Sequence, residues 1–159
     1  MTEAKIIRRL FSYFQNGYLW QINNSYIFKY NWESDFFCQS RSGYLIEVEV
    51  KVSVSDFNAD FKKEKHKYLS GQDNSKKFIP NKFYYAVPEE IASKIQVPEY
   101  AGLIVISSFK TDFVKKAPLI HKNKIDVRNK MCEKFYHKWL NEKRSFALYR
   151  RDKGEYDFS

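Results

Sequence analysis

Trp32-Glu33-Ser34-Asp35-Phe36-Phe37-Cys38-Gln39, Ser40-Arg41-Ser42-Gly43 and Tyr44-Leu45-Ile46-Glu47-Val48-Glu49-Val50-Lys51-Val52-Ser53-Val54 form the stretch whose reading decides the fold. Residues 33–39 read as a strand, 40–43 as a hairpin turn, and 44–54 as the clearest strand in the chain. Side chains alternate across a strand, so Ile46, Val48, Val50, Val52 and Val54 point one way while Glu47, Glu49, Lys51 and Ser53 point the other. An unbroken Val/Ile face marks a central strand, and a central strand has its second face covered as well.

Two acids and a lysine on a covered face are costly unless they pair or bind an ion. Two carboxylates about 4 Å apart repel by roughly 4 kcal/mol at an effective dielectric of about 20. A divalent cation removes that repulsion, and so does plain exposure, in which case the row is a solvated strand face. Glu33 and Asp35 share one face of the preceding strand, and the short hairpin brings that face beside Glu49. Hard carboxylate oxygens gathered in this way suit magnesium or manganese. Removal of one acid is then expected to relieve repulsion in the metal-free protein.

Outward from this hairpin, Ser55 or Asp56 caps a helix running to about Leu69. Lys62 and His66, four residues apart, share one face of it, and with Lys65 they can approach substrate phosphates; a solvated basic face is the plain alternative. At the N-terminus, Thr2 caps a helix with Ile6, Ile7, Leu10, Phe11 and Phe14 on one side, ending near Gly17. A short strand is expected near 26–30, set off by Asn23-Asn24-Ser25. Later elements are a buried strand at 83–87, a short helix at 89–95 and an apolar strand at 102–107. A long helix spans 126–149, with Met131, Phe135, Trp139 and Leu140 as its packing face and a basic stripe from Lys130, Lys134 and Lys138 to Arg151. The order predicts a mixed sheet with helices on its faces in one domain, 1–159.

Bulk properties agree with a folded, anion-binding protein. The chain has 159 residues, 43% apolar and 18% aromatic, which speaks against disorder. Lys and Arg outnumber Asp and Glu by 28 to 19, a net charge of +9 that favours polyanions. Two cysteines, Cys38 and Cys132, support neither a disulfide framework nor a zinc site. No run approaches the roughly 18 apolar residues of a membrane span, so a cytoplasmic protein is expected.

The hairpin resembles the PD-(D/E)xK phosphodiesterase superfamily. Ser55-Asp56-Phe57, Asp60, Lys62, Lys65 and His66, then Phe83-Tyr84-Tyr85-Ala86-Val87-Pro88 and Val97-Pro98-Glu99-Tyr100-Ala101-Gly102-Leu103-Ile104, resemble its MmcB-like branch, proteins of bacteria and phages linked to DNA repair. The resemblance covers about residues 25–107 and implies an α/β fold, a restriction-endonuclease-like mixed central β-sheet flanked by helices (αβββαβ core). It implies that Asp35 and Glu49 are the metal-binding acids, with the Val50 carbonyl as a further ligand and Lys51 as catalytic lysine. The implied ion is Mg²⁺, with Mn²⁺ as substitute. Ser34 stands where the family's proline often precedes the first acid. Glu33 and Glu47 are extra acids beside the metal, and Glu3 a distant helix-one ligand, although a first-turn carboxylate also simply favours its helix dipole. Lys62, Lys65, His66 and Ser53 are the implied nucleic-acid contacts. The implied function is hydrolysis of DNA phosphodiester bonds in phage or bacterial repair, recombination or processing. The alternative is a non-catalytic DNA-binding module that keeps the fold. Neither involves a membrane, and a homodimer is compatible with both.

Overall fold

The computed structural model describes residues 1–29 and 31–152, with Lys29 and residues 146–152 described by backbone alone. The expected strand end at Tyr30 and the basic side chains of Arg150 and Arg151 lie outside the described residues. The elements are α1 (Glu3–Phe14), β1 (Tyr18–Lys29), β2 (Trp32–Ser40), β3 (Leu45–Val50), α2 (Val54–Asp60), α3 (Lys65–Leu69), β4 (Lys82–Pro88), α4 (Glu89–Ala92), β5 (Ala101–Ile106), β6 (Thr111–Lys115) and α5 (Arg128–Asp152). They form a mixed α/β fold with one six-stranded sheet in the order β1-β2-β3-β4-β5-β6. β3, β4 and β5 run parallel to their neighbours in that trio, while β1-β2, β2-β3 and β5-β6 are antiparallel. Packing divides the chain into two units, Met1–Ile125, which holds the sheet, and the part from Asp126 onward, which holds α5.

Every residue of β3 is buried, so its charged face is indeed covered. Ile46, Val48 and Val50 join Phe36, Cys38, Tyr84, Ala86, Ile104 and Ile106 in one apolar layer, closed by Ile6, Ile7, Leu10 and Phe14 of α1. The opposite face carries Glu47, Glu49, Phe83 and Tyr85, with Phe57 of α2 packed edge-on against Tyr85 at 4.9 Å. One face of the sheet is therefore a plain hydrophobic core, and the other is where polar groups gather.

Several expectations are corrected. β3 stops at Val50 instead of Val54, because the chain must leave the sheet to cross over to parallel β4. Val52 and Ser53 are exposed there, and Ser53, in place of Ser55 or Asp56, caps α2 by accepting the Asp56 N–H at 3.1 Å. The single helix to Leu69 is two helices, α2 and α3, separated by 61–64. β1 begins at Tyr18 and runs through Asn23-Asn24-Ser25, because Asn24 takes a φ of +45° that asparagine tolerates without ending the strand. Edge strand β6 follows an exposed turn at Phe109 and was not expected. In α5, Met131 is buried, but Phe135 and Trp139 are exposed, so apolar periodicity alone overstated its packing face. Both cysteines are free thiols, Cys38 buried and Cys132 exposed. Among the described residues no helix is long and apolar enough to cross a membrane.

Gly102 on β5 lies where its neighbours leave no room for a side chain. A Cβ there would lie 2.4 Å from the Tyr84 ring and 2.6 Å from the Ala117 backbone nitrogen. Neither neighbour is a free side-chain end, so Gly102→Ala is expected to cost more than about 2 kcal/mol in denaturant unfolding. A loss below about 0.5 kcal/mol would show that the strand slides to accept a methyl group.

Candidate functional site

The register Phe36↔Val48 and Phe37↔Glu47, continued by one residue, sets Asp35 opposite Glu49. Asp35 Oδ2 accepts the Val50 N–H at 2.8 Å, which ties its carboxyl to the end of β3. Burial, and then the Glu49 charge, push Asp35 up to about 6. The strand pairing thus brings together the first two acids named from the sequence. Lys51 follows two residues after Glu49, as the last group held by the sheet, its backbone N–H donating to Ala86 O at 3.0 Å.

Glu49 is fully buried and surrounded by ammonium groups. Its Oε1 accepts from Lys51 Nζ at 2.9 Å and Lys63 Nζ at 2.6 Å, and its Oε2 accepts from Lys65 Nζ at 2.5 Å. A second buried carboxylate, Asp60 at the end of α2, braces the same lysines. Its Oδ1 lies 3.1 Å from Lys51 Nζ and 2.7 Å from Lys63 Nζ. Its Oδ2 takes the Tyr85 hydroxyl at 2.9 Å and faces His66 Nε2 at 3.0 Å, and His66 Nδ1 meets the Tyr100 hydroxyl at 2.9 Å. Burial works against the ionised form of Asp60, but hydrogen bonding from His66 and the charge of Lys65 outweigh it and hold the carboxyl below its usual range. Burial likewise opposes the charge on Lys51 and Lys63, while Glu49 and Asp60 raise both above the ordinary lysine value.

The break between α2 and α3 exists to make these contacts. Asp60 and His66 are six residues apart, so on one continuous helix they would point about 120° apart around the axis and about 9 Å apart along it. Unwinding 61–64 folds His66 back onto Asp60 and carries Lys65 over Glu49. The shared helix face expected for Lys62 and His66 is therefore absent. Lys62 is exposed in the break, whereas Lys65 and His66 are buried and bonded to acids of the chain itself. Ser53 is occupied as the α2 cap.

Glu47 is buried rather than exposed. It takes the Trp32 indole N–H at 2.7 Å and lies 3.7 Å from Lys65 Nζ. Burial pushes it up to about 7, against the pull of Lys65. Glu33 is exposed and, with Asp35, lines a cavity of about 340 Å³ that also presents Lys63 and Lys65. Glu3 lines a different cavity, with Arg8 and Asn23, and is not part of this group. The sequence reading missed Asp60, Lys63, Tyr85 and Tyr100 as members of the site. Asp60, Tyr85 and Tyr100 stood only among the residues that carry the family resemblance, and Lys63 gave no signal.

Among the described residues no group of three or more His, Cys, Asp or Glu side chains is disposed to hold a metal ion. The donors that face one another are two carboxylates, Asp35 and Glu49. Such a pair fits magnesium, which keeps several water or substrate oxygens and takes only one or two carboxylates from a protein. The raised pKa of Asp35 reflects, after burial, the like-charge contact that a cation would relieve. Lys63, whose side chain is 51% exposed, is the one ammonium on Glu49 with room to withdraw.

No protein-family model and no curated protein sequence matches the chain. In structure it is similar to the SPO1766 protein of unknown function from Silicibacter pomeroyi, with 19% sequence identity and a TM-score of 0.61, over 100% of this chain and 99% of that one. That likeness shows the fold.

Two substitutions test the electrostatics. Glu49 neutralises three ammonium groups, so the earlier expectation that losing an acid stabilises the metal-free protein is reversed here. Glu49→Gln is expected to cost about 3 kcal/mol or more, as for a buried ion pair that loses one partner. Glu47 behaves in the opposite sense. Its folded-state pKa of about 7 lies above the reference 4.5, so its contribution is full below pH 4.5 and is lost as pH rises through 7. Glu47→Gln does not titrate and should gain up to about 3 kcal/mol on wild type between pH 4.5 and 8, measured by urea unfolding in chelator. A constant difference between the two proteins across that range would show that Glu47 is ionised throughout.

Proposed function

We propose that this chain is a metal-dependent nuclease that hydrolyses DNA phosphodiester bonds, in the manner of the PD-(D/E)xK superfamily and in bacterial or phage DNA repair, recombination or processing. One observation carries the reading: Asp35 and Glu49 meet across β2 and β3, with Lys51 two residues on, and Asp35 lines a cavity that also carries two further ammonium groups, Lys63 and Lys65. The order α1-β1-β2-β3-α2/α3-β4 supports it, since it runs helix, three strands, helix, strand, as in the restriction-endonuclease-like αβββαβ core. A net charge of +9 suits a polyanionic substrate.

Asp35, Glu49 and the Val50 carbonyl would hold Mg²⁺ or Mn²⁺, which when bound polarises a phosphate oxygen and lowers the pKa of its water. The protein's own groups do the rest. Glu49 and Asp60 clamp Lys51 from two sides, so its ammonium is preorganised to stabilise negative charge building on the phosphate. Lys63, swinging off Glu49 toward the cavity, leaves Glu49 Oε1 with Lys51 as its one remaining lysine and offers its charge to a phosphate. Asp60 is a positioning residue in this scheme, held by His66 and Tyr85 and acting through Lys51 and Lys63.

A second reading, a non-catalytic DNA-binding module, is favoured by one feature. Glu49 is already neutralised by three lysines, as a site adapted to work without an ion would be. Lys51→Ala separates the two. In the nuclease it should bind DNA within a few-fold of wild type yet cut at under about a hundredth of the rate with Mg²⁺ or Mn²⁺, because its charge acts mainly in the transition state. A wild-type protein that binds DNA but cuts no single-stranded, duplex or branched substrate with either ion would establish the binding module instead. Calorimetry gives an independent reading, in which Asp35→Asn weakens Mn²⁺ binding at least about tenfold. Equal Mn²⁺ affinity in the two proteins would remove Asp35 from the site.

A further inference from the structure

The cavity beside Asp35 is lined by more than acids and lysines. Its inner wall is aromatic, with Trp32 and Tyr68 nearly parallel at 13° and 6.4 Å between ring centroids, and Lys76 Nζ lies over the two rings at 4.6 and 5.5 Å. Tyr26 stands on the open side with 44% of its surface exposed, paired across the strands with Glu33. A polar edge completes it, where Glu64 accepts from Asn31 Nδ2 at 3.3 Å and from the Tyr68 hydroxyl at 2.9 Å. Lys63 and Lys65 border the same space on the Glu49 side.

The lining thus combines ammonium groups, carboxylates, ring surfaces and an amide. A nucleotide offers partners for such a set, with a phosphate, a sugar and a flat base whose edge carries donors and acceptors. At about 340 Å³ the space lies near the lower end of small-molecule sites, large enough for one nucleoside and too small for a base pair. A base can enter a concave site only if it is unpaired, since its hydrogen-bonding edge and both faces are otherwise engaged within the duplex.

We infer that this cavity is a subsite for one unpaired nucleotide, adjoining the phosphate engaged at Asp35 and Glu49, so that the substrate is a single strand or a single-stranded end. The inference rests on the nuclease reading for the identity of that phosphate and on the cavity for the rest. Tyr26, the exposed ring, supplies stacking on the base, and Asn31 and Glu64 meet its edge. Duplex binding, by contrast, draws only on the basic surface.

Fluorescence polarisation in chelator tests this without cleavage, using a short labelled DNA strand and the blunt duplex of the same sequence. The wild-type protein should bind the single strand at least about tenfold more tightly than the duplex. Tyr26→Ala should weaken single-strand binding about tenfold and leave duplex binding unchanged, while Tyr26→Phe keeps the stacking face and the affinity. Replacing one nucleotide of the strand by an abasic residue, at each position in turn, should reproduce the loss at a single position once the strand is anchored by a fixed end. Equal affinity for strand and duplex overturns the subsite, and so does a Tyr26→Ala effect of the same size on both. If the wild type cuts nothing with Mg²⁺ or Mn²⁺ yet keeps the single-strand preference and its dependence on Tyr26, the nuclease reading fails and the subsite stands. If it cuts duplex as readily as single strand and ignores Tyr26→Ala, the subsite fails and the nuclease reading stands.

Discussion

The carboxylate of Glu49 lies near the end of a central strand with none of its surface exposed to water, and much of the surrounding structure answers that constraint. An isolated ionised carboxyl in such a place would cost several kcal/mol. Three lysines meet it, and each comes from a different stretch: Lys51 from the end of β3, Lys63 from the break between helices, Lys65 from the first turn of α3. The path of the chain from 51 to 69 follows from these contacts. A straight helix there would satisfy propensity and leave Glu49 without two of its partners.

Asp60 extends the same logic by one shell. Three ammonium groups around one carboxylate would repel each other, and a second buried acid between Lys51 and Lys63 offsets that repulsion. Asp60 is in turn held by Tyr85 on β4 and His66 on α3, so the charged cluster is fastened to the sheet and to the helix layer together. The opposite face of the sheet bears none of this burden. Its aliphatic and aromatic layer under α1 supplies a conventional core, which allows the polar face to hold like charges in close contact. Asp35 and Glu47, both pushed up by burial, are where that tension is felt most.

What was legible in the sequence depended on range. The alternation of Ile46, Val48 and Val50 with Glu47 and Glu49 is local, and so is the four-residue turn to β2; together they set Asp35 near Glu49. The helix break was illegible because the residues 61–64 hold no proline or glycine, and lysine and glutamate are good helix formers. Lys65 and His66 looked like solvent-facing groups because their partners, Glu49, Glu47 and Tyr100, are up to 34 residues away. Tyr85 showed no more than an aromatic residue in a buried strand. The same holds for α5, where the apolar spacing of Met131, Phe135 and Trp139 is real but only Met131 is buried.

By itself the sequence determined the period of β3, the hairpin, and the meeting of Asp35, Glu49 and Lys51, because side-chain alternation and a short turn act between neighbours, while it left the charged face of β3 open between burial and exposure. Only the tertiary structure decided that Glu49 is capped by three lysines, that Asp60, His66 and Tyr100 stand behind them, and that an aromatic cavity opens beside Asp35. Those features are set by charges pairing across elements distant in the chain, where burial raises the cost of every unpaired group and local preference yields to it.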